Sequence, residues 1–492
     1  MLDMTDTCTT EAAPTDVVKS TPVGAAKKFD VFLDQNGRAS VRIESEGNPC
    51  VLTVGSPLMN AVIRKRARDA GQILKPSALE ARNEELRQDA EEAGRAYNTY
   101  HRVAPIDGGV EIDLGDDAHT RVRIAHGEVK VMTSGSEVLF RRYKHSKKMV
   151  MPVPSGQGDF NLIDKYLQNL HPVSRMLLKA WMTYTLSKPK VPTSKFVILQ
   201  LLGGQGSGKS MLTKLIKRLL DPAVTDVQTM PANEKDLGIA VQQAHVVCFD
   251  NLRDISKLMS DRLCTVATGG SQTGRQLFTN DEQNVIELHG ALVLNGIHPF
   301  VSESDLAQRC LPLSLRPIPA DCRRSEIDVE ADLLTDLPII QGGLFDEIAK
   351  IQMQLPNVKA TLSERMIDFS RWLGAMEIVN GVPTGVYQAA YSDILNQGQR
   401  EALMDSLLGA ALVEFGDDLG DEGWTGTPTK LLQQLTFNQD GVGTRSRSWP
   451  DNPTALSKRI VGLQAALLTQ GIHVEFHRGK ERTIRITKVA GK

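Results

Sequence analysis

Apolar and polar positions alternate with two different periods along the chain, and the changes of period divide it. From Phe29 to Val54 the runs FDVFLD, ASVRIE and CVLTV place apolar residues at every second position around the turn Gln35-Asn36-Gly37, which predicts short antiparallel strands. Over residues 57–100 the period lengthens to that of charged helices, with a break at Lys75-Pro76. Alternation returns in VEIDLGD, RVRIAHG and VKVMTSG between residues 101 and 142. An α+β N-terminal domain over 29–150 is expected. Residues 1–28 have no apolar period and read as a disordered tail. MPVPSGQGD, after the basic run RRYKHSKK (141–148), reads as a linker.

A second pattern begins near residue 160. Five apolar runs alternate with helix-like segments: FVILQLL (196–202), VTDVQTM (224–230), HVVCFD (245–250), ALVLNGI (291–297) and CLPLSLRPI (310–318). Strands apolar on both faces and separated by helices indicate a parallel sheet covered on both sides, so an α/β core is expected over 155–320. A helical region (321–420) follows, and 424–490 reads as helix, helix and two-stranded hairpin, which looks like a winged helix.

The 492 residues allow about three domains. With 41% hydrophobic and 24% charged residues, the chain has the balance of a globular protein. A formal charge of -2 means that attraction to nucleic acid must come from local patches. The last 66 residues supply one, with 11 Lys+Arg against 4 Asp+Glu. The six cysteines form no C-x-x-C pair, which excludes a zinc ribbon and fits a reducing cytoplasm. No run of 18 apolar residues is present, so no membrane partner is expected.

The strongest chemical signal follows the first core strand. Gly203-Gly204-Gln205-Gly206-Ser207-Gly208-Lys209-Ser210 matches G-x-x-x-x-G-K-S and opens an amphipathic segment. Glycines let the backbone curl round a phosphate chain, with its amides and the following helix N-terminus aimed at the anion. Lys209 would place a charge at the β and γ phosphates of ATP, and the Ser210 hydroxyl would ligate Mg2+. Asp250, at the end of HVVCFD, is the expected second metal residue. Asn251 follows it where many nucleotide hydrolases carry an acid, and Asp254 and Glu234 are the alternative general bases. Asn295, a polar residue closing an apolar strand, is suited to position an attacking water. Arg309 precedes the fifth strand near an expected subunit edge, where an arginine can complete a neighbour's site.

These residues resemble AAA+ ATPases of the superfamily 3 helicase type, found in viral, phage and plasmid replication proteins. The resemblance runs from about 196 to 318 and rests on the P-loop, on FDNLRDISKLMSDRLCTVATGGSQTGRQLFTN, on LVLNGI and on DLAQR. It implies a P-loop NTPase sheet of order 5-1-4-3-2, a hexameric homo-oligomer with ATP between subunits, and single-stranded DNA in the ring channel. It also implies that Thr268-Gly269-Gly270 and Arg275 form a hairpin facing that DNA. No primase metal site is recognisable before residue 150.

Basic residues of the C-terminal module are the candidate duplex contacts: Lys458 and Arg459 on its second helix, and Arg478, Lys480 and Arg482 in the hairpin. Trp424 and Trp449 are expected to pack in its core. Together these features predict a DNA-stimulated ATP hydrolase, a helicase or translocase serving replication of a phage, plasmid or integrated element. The alternative is an ATP-gated DNA-binding regulator that does not unwind.

Overall fold

The computed structural model describes residues 29–43, 47–275, 283–301, 303–358, 365–420, 422–438, 449–479 and 481–489. The expected tail over 1–28 and the candidate Lys480 lie outside the described residues.

β1 (Asp30–Asp34), β2 (Ala39–Ile43) and β3 (Cys50–Thr53) form an antiparallel meander. Gly37, at φ 73°, supplies the left-handed residue its first turn needs. α1 (Pro57–Asp69) starts where Ser56 Oγ accepts from the Met59 amide at 3.2 Å, and it buries Met59 and Ile63, four residues apart. α2 (Pro76–Ala93) opens on its proline and ends at Gly94, φ 61°. β4 (Ala96–Tyr97) pairs back onto β1. A second antiparallel sheet runs β5 (Val103–Ile106), β6 (Gly109–Asp113), β7 (Arg121–Ala125) and β8 (Glu128–Met132). β9 (Phe140–Arg141) returns to β3.

α3 (Pro172–Leu186) leads into the core strand β10 (Ile198–Leu202) and then α4 (Lys209–Leu220). Next come β11 (Gln228–Thr229), α5 (Glu234–Gln242), β12 (Val246–Leu252) and α6 (Lys257–Thr268). An antiparallel hairpin of β13 (Gly270–Arg275) and β14 (Gln283–Leu288) precedes β15 (Ala291–Gly296), the short α7 (Ser304–Ala307) and β16 (Cys310–Ser314). The five core strands pair in parallel in the order β11-β12-β15-β10-β16. Numbered along the chain and read from β16, that order is 5-1-4-3-2.

The helical region comprises α8 (Glu326–Gln354), α9 (Ile367–Val379), α10 (Val386–Asp405) and α11 (Leu407–Asp417). The C-terminal module has β17 (Trp424–Gly426), α12 (Pro428–Asn438), α13 (Pro453–Thr469) and the hairpin β18 (Ile472–Arg478) and β19 (Arg482–Lys488). Its own core holds Trp449, Leu456, Ile460, Ile484 and Ile486, while Trp424 packs edge-on to Phe415 at 5.8 Å.

Two expectations change, and the basic run takes a structural part. The stretch 151–159 is not a loose linker: Val153 and Asp159 amides donate to Pro338 and Ile339 carbonyls of α8 at 3.1 Å each. That approach requires glycine, since a Cβ on Gly343 would fall 2.2 Å from the Phe160 amide and one on Gly158 2.0 Å from the Gly343 amide. The second expected core strand shrinks to two residues because Val224 turns away to pair its amide with His145 O at 2.9 Å. In the basic run, Arg141 is buried against Asp34, Arg142 pairs with Asp113, and the Tyr143 ring meets His101 edge-on. Those three side chains are structural, and Tyr143 is not free to stack on a base.

One hydrophobic core joins the second N-terminal sheet (Val110, Ile112, Val122, Ile124) to α3, β10 and α8. At its edge is a buried polar knot. Asp221, which ends α4, accepts from Arg102 Nε at 3.0 Å, Lys217 Nζ at 2.9 Å and the His245 and Val246 amides at 2.7 and 3.1 Å. Burial raises the Asp221 carboxyl, but Lys217 and Arg102 overcome it and hold the group well below its usual range. Burial drives His101 down to about 3, and His245 and His289 to about 4 each.

The sign of their pH effect follows from proton counting. All three are neutral in both states above pH 6.5; below it the unfolded chain takes up protons that the folded one refuses. Stability should therefore fall as pH drops from about 6.5 to 4, by on the order of 2–3 kcal/mol for each histidine. Urea midpoints measured across that range check it; midpoints that stay flat down to pH 4 would contradict the buried neutral state.

Candidate nucleotide site

Parallel register brings the site together. Leu202 is level with Gly296 on one side and Ser314 on the other, and Phe249 pairs with Leu294, so the carboxyl ends of β10, β12, β15 and β16 share one edge. Ligands of open parallel sheets bind at that edge. The P-loop leaves it at Gly203 and curls through Gly206 and Gly208, at φ 73° and 76°. Gly203 has a further constraint: a Cβ there would lie 2.8 Å from Leu315 O and 2.8 Å from Ser207 Oγ.

Behind the loop the chain clamps it with residues that no motif marks. Asn169 Nδ2 donates to Ser207 O and lies 3.4 Å from the Cβ position of Gly208. The Ile318 amide donates to Gly206 O at 3.2 Å, the Arg316 amide to Asn169 O at 2.9 Å and the Leu315 amide to Leu202 O at 2.7 Å. This is why the fifth apolar run stops being a strand at Ser314. Arg323 is held by Ile318 O at 3.2 Å and its Nη2 lies 3.5 Å from the Cβ position of Gly206, with the exposed thiol of Cys322 next to it in sequence.

Among the described residues, the amides of Gly204, Gln205, Gly206 and Gly208 donate to no backbone acceptor, while the turn at 205–206 points the Ser207 amide towards Gly204 O. Such a nest of free N–H groups at a helix N-terminus suits a phosphate chain. Lys209 Nζ donates to Gly203 O, to Gly204 O at 2.9 Å and to Ser207 Oγ at 3.4 Å. Partial burial lowers its pKa, while Asp250 pulls the other way. Ser210 Oγ donates to Asp250 Oδ2 at 3.1 Å. Two hard oxygens beside a phosphate nest fit the donor set of magnesium.

The remaining candidates are placed less simply. Asn251 is exposed, at φ 60°, where β12 bulges between Phe249 and Leu252; its amide donates to Asp250 Oδ1 at 2.6 Å. Asp254 is exposed, and Glu234 is in an ion pair with Arg262 at 2.9 Å. Asn295 is fully buried: its Nδ2 donates to Thr213 Oγ1 at 3.3 Å, Thr213 in turn bonds Lys209 O at 2.9 Å, and Asn295 Oδ1 has no partner among the described residues. Arg309 lies at the opposite end of the sheet from the loop, where Ile198 pairs with Cys310. It is buried rather than presented at a surface, because Asp305 holds its guanidinium at 2.8 Å. Arg365, more exposed, grips the same carboxylate.

Arg275 ends β13, opposite Gln283; the hairpin tip after it and the Arg275 side chain lie outside the described residues. In the C-terminal module Lys458, Arg478 and Arg482 are exposed and Arg459 is half-buried.

Residues 166–397 match the family described as actinomycete integrative conjugative element replication protein, and residues 408–491 match the C-terminal domain of the same family. The chain is similar to these replication proteins. No curated protein matches it. Among solved structures, an A form apo structure of the NrS-1 C-terminal region is 12% identical, with 94% of this chain and 97% of that chain covered and a TM-score of 0.40. A JCV helicase bound to a small molecule is 15% identical, with 48% and 70% covered and a TM-score of 0.21. Likenesses at that level carry no functional conclusion. Among the described residues no helix is long and apolar enough to cross a membrane.

The left-handed backbone at Asn251 gives a test of local design. Asn251→Gly should change stability by no more than about 0.5 kcal/mol, whereas Asn251→Val should cost about 1–2 kcal/mol, since a β-branched residue resists that backbone. Denaturant midpoints of the two variants decide it; equal midpoints would refute the strain.

Proposed function

We propose that this chain is a DNA-stimulated ATPase acting as a helicase or translocase in replication of an integrated mobile element, assembled as a homo-oligomeric ring in the cytoplasm. The observation that carries the reading is the contact of Ser210 with Asp250 at 3.1 Å beside the amides of Gly204, Gln205, Gly206 and Gly208 in one loop. The match to replication proteins over 166–397 supports the choice of DNA over a small-molecule substrate.

In this reading the amides of 204–208 hold the β phosphate, and Lys209 exchanges its carbonyl partners for phosphate oxygens. Ser210 and Asp250 would hold magnesium, which draws charge from the phosphates when bound. Thr213 and Asn295 steady the first turn of α4, and the unpartnered Asn295 Oδ1 is the acceptor available to order a water. Arg309 acts on a neighbour only by giving up Asp305, so assembly and hydrolysis would be linked. Arg275 would face the translocated strand, and Lys458, Arg459, Arg478, Lys480 and Arg482 would hold duplex through a winged helix. A second reading, an ATP-gated DNA-binding regulator, is favoured by Asn251, which leaves no acid next to Asp250 and predicts slow turnover.

Lys209→Ala should abolish ATP turnover while leaving the thermal midpoint unchanged, because a half-exposed loop lysine adds little packing. Unchanged turnover in a phosphate-release assay would remove the nucleotide assignment. Arg309→Ala should retain nucleotide binding but lose turnover, and mixing it with the Lys209 variant should restore part of the activity. Titrations of one variant into the other that show no gain would argue against sites shared between subunits.

A further inference from the structure

α1 carries the sequence Arg64-Lys65-Arg66-Ala67-Arg68, and the structure separates these cations by role. Arg66 lies over the Phe29 ring at 3.8 Å and belongs to the domain's own packing. Arg64, Lys65 and Arg68 are exposed and lie within an arc of about 100° on the helix, opposite the buried Met59 and Ile63. Pro57 and Ala61 share that arc, also exposed, and the nearest acid, Asp69, lies at its edge four residues after Lys65 and makes no ion pair among the described residues.

The neighbouring helix could have neutralised this stripe and does not. α2 packs on α1, as the 2.8 Å bond from Asn83 to Asn60 shows, and it is rich in glutamate. Of its six acids, Glu85 pairs with Arg82 at 2.6 Å and Glu84 with Arg87 at 2.7 Å, both within α2, while Glu80, Asp89, Glu91 and Glu92 make no ion pair with α1 among the described residues. Among the described residues no acid pairs with Arg64, Lys65 or Arg68. Compensation of the helix dipole accounts for Arg68, in the last turn, but not for Arg64 and Lys65.

We infer that this face of α1 is a further nucleic-acid contact, which grips the sugar-phosphate backbone without reading sequence. Arg64 and Arg68 are separated by a rise of about 6 Å, so long side chains from the three positions reach successive phosphates. Guanidinium forks suit phosphate oxygens better than point charges do. The inference rests on the reading that the chain acts on DNA, and it adds the N-terminal domain to the surfaces that hold it.

The test uses the full chain and fluorescein-labelled 20-nucleotide probes, one duplex and one single-stranded, titrated by anisotropy from 50 to 200 mM KCl. In the variant Arg64→Gln/Lys65→Gln/Arg68→Gln, affinity for the preferred probe should fall at least about 10-fold at 50 mM. The slope of log K against log salt should shrink by about 2–3, or by about 0.7–0.9 for Lys65→Gln alone. Lys458→Gln, measured in parallel, reports the C-terminal surface separately. Wild-type slope and affinity in both α1 variants would overturn the inference while leaving the DNA reading intact. Failure of the wild type to bind either probe would sink the reading itself. Unchanged probe binding with lost adsorption to phosphatidylserine vesicles would reassign the stripe to a membrane and overturn it as well.

Discussion

Everything at the nucleotide edge is anchored from behind by one carboxylate. Asp221 ends the helix that Lys209 and Ser210 begin, and it also fixes the two amides from which β12 sets out towards Asp250. Lys209 and Asp250 are thus tied to the same point, a helix length away. Removing one partner from a buried ion pair leaves an uncompensated charge at a cost of about 3–5 kcal/mol, so the geometry has little freedom to drift. Arg102 closes the knot from the N-terminal sheet, and its φ of 65° shows the chain accepting an unfavourable backbone to do so.

That arrangement changes what the N-terminal region is. Its second sheet shares a hydrophobic core with α3 and α8, while Lys147, near the end of the basic run, donates its amide to Pro222 O beside Asp221. The region therefore forms one packed body with the back of the parallel sheet, whereas the core of the C-terminal module is shared with α10 and α11 through Leu403, Leu408, Leu412 and Phe415. Motion at the carboxyl edge of the sheet would be felt by the N-terminal domain through that shared core, and by the C-terminal module through α10, which packs in both.

Much of this was legible in the residue pattern. Period changes located the strands of 29–54, the break before Pro76 and four of the five core strands, with the second reduced to Gln228 and Thr229, and the glycines of 203–208 mark the turn that precedes α4. Failures occurred where long-range pairing overrode local pattern. Val224 belongs to an apolar run but bonds the strap at His145, and Leu315 to Ile318 continue an apolar run but turn to grip the loop. Asn169, Arg102 and Asp221 carry no signature because their partners are 38 and 119 residues distant. Arg141 and Arg142 look like surface charge in a basic run, yet their acids sit across the domain at Asp34 and Asp113.

Four of the described cysteines are buried and unreactive by position, while Cys322 stands exposed one residue from the arginine that overhangs the loop. With Cys8 replaced by serine, a maleimide dye would therefore attach at a single place on the rim of the phosphate nest. The protein thus carries its own attachment point for a fluorescent reporter beside the loop of 203–208, which would follow nucleotide entry and exit in real time if the proposed site is right.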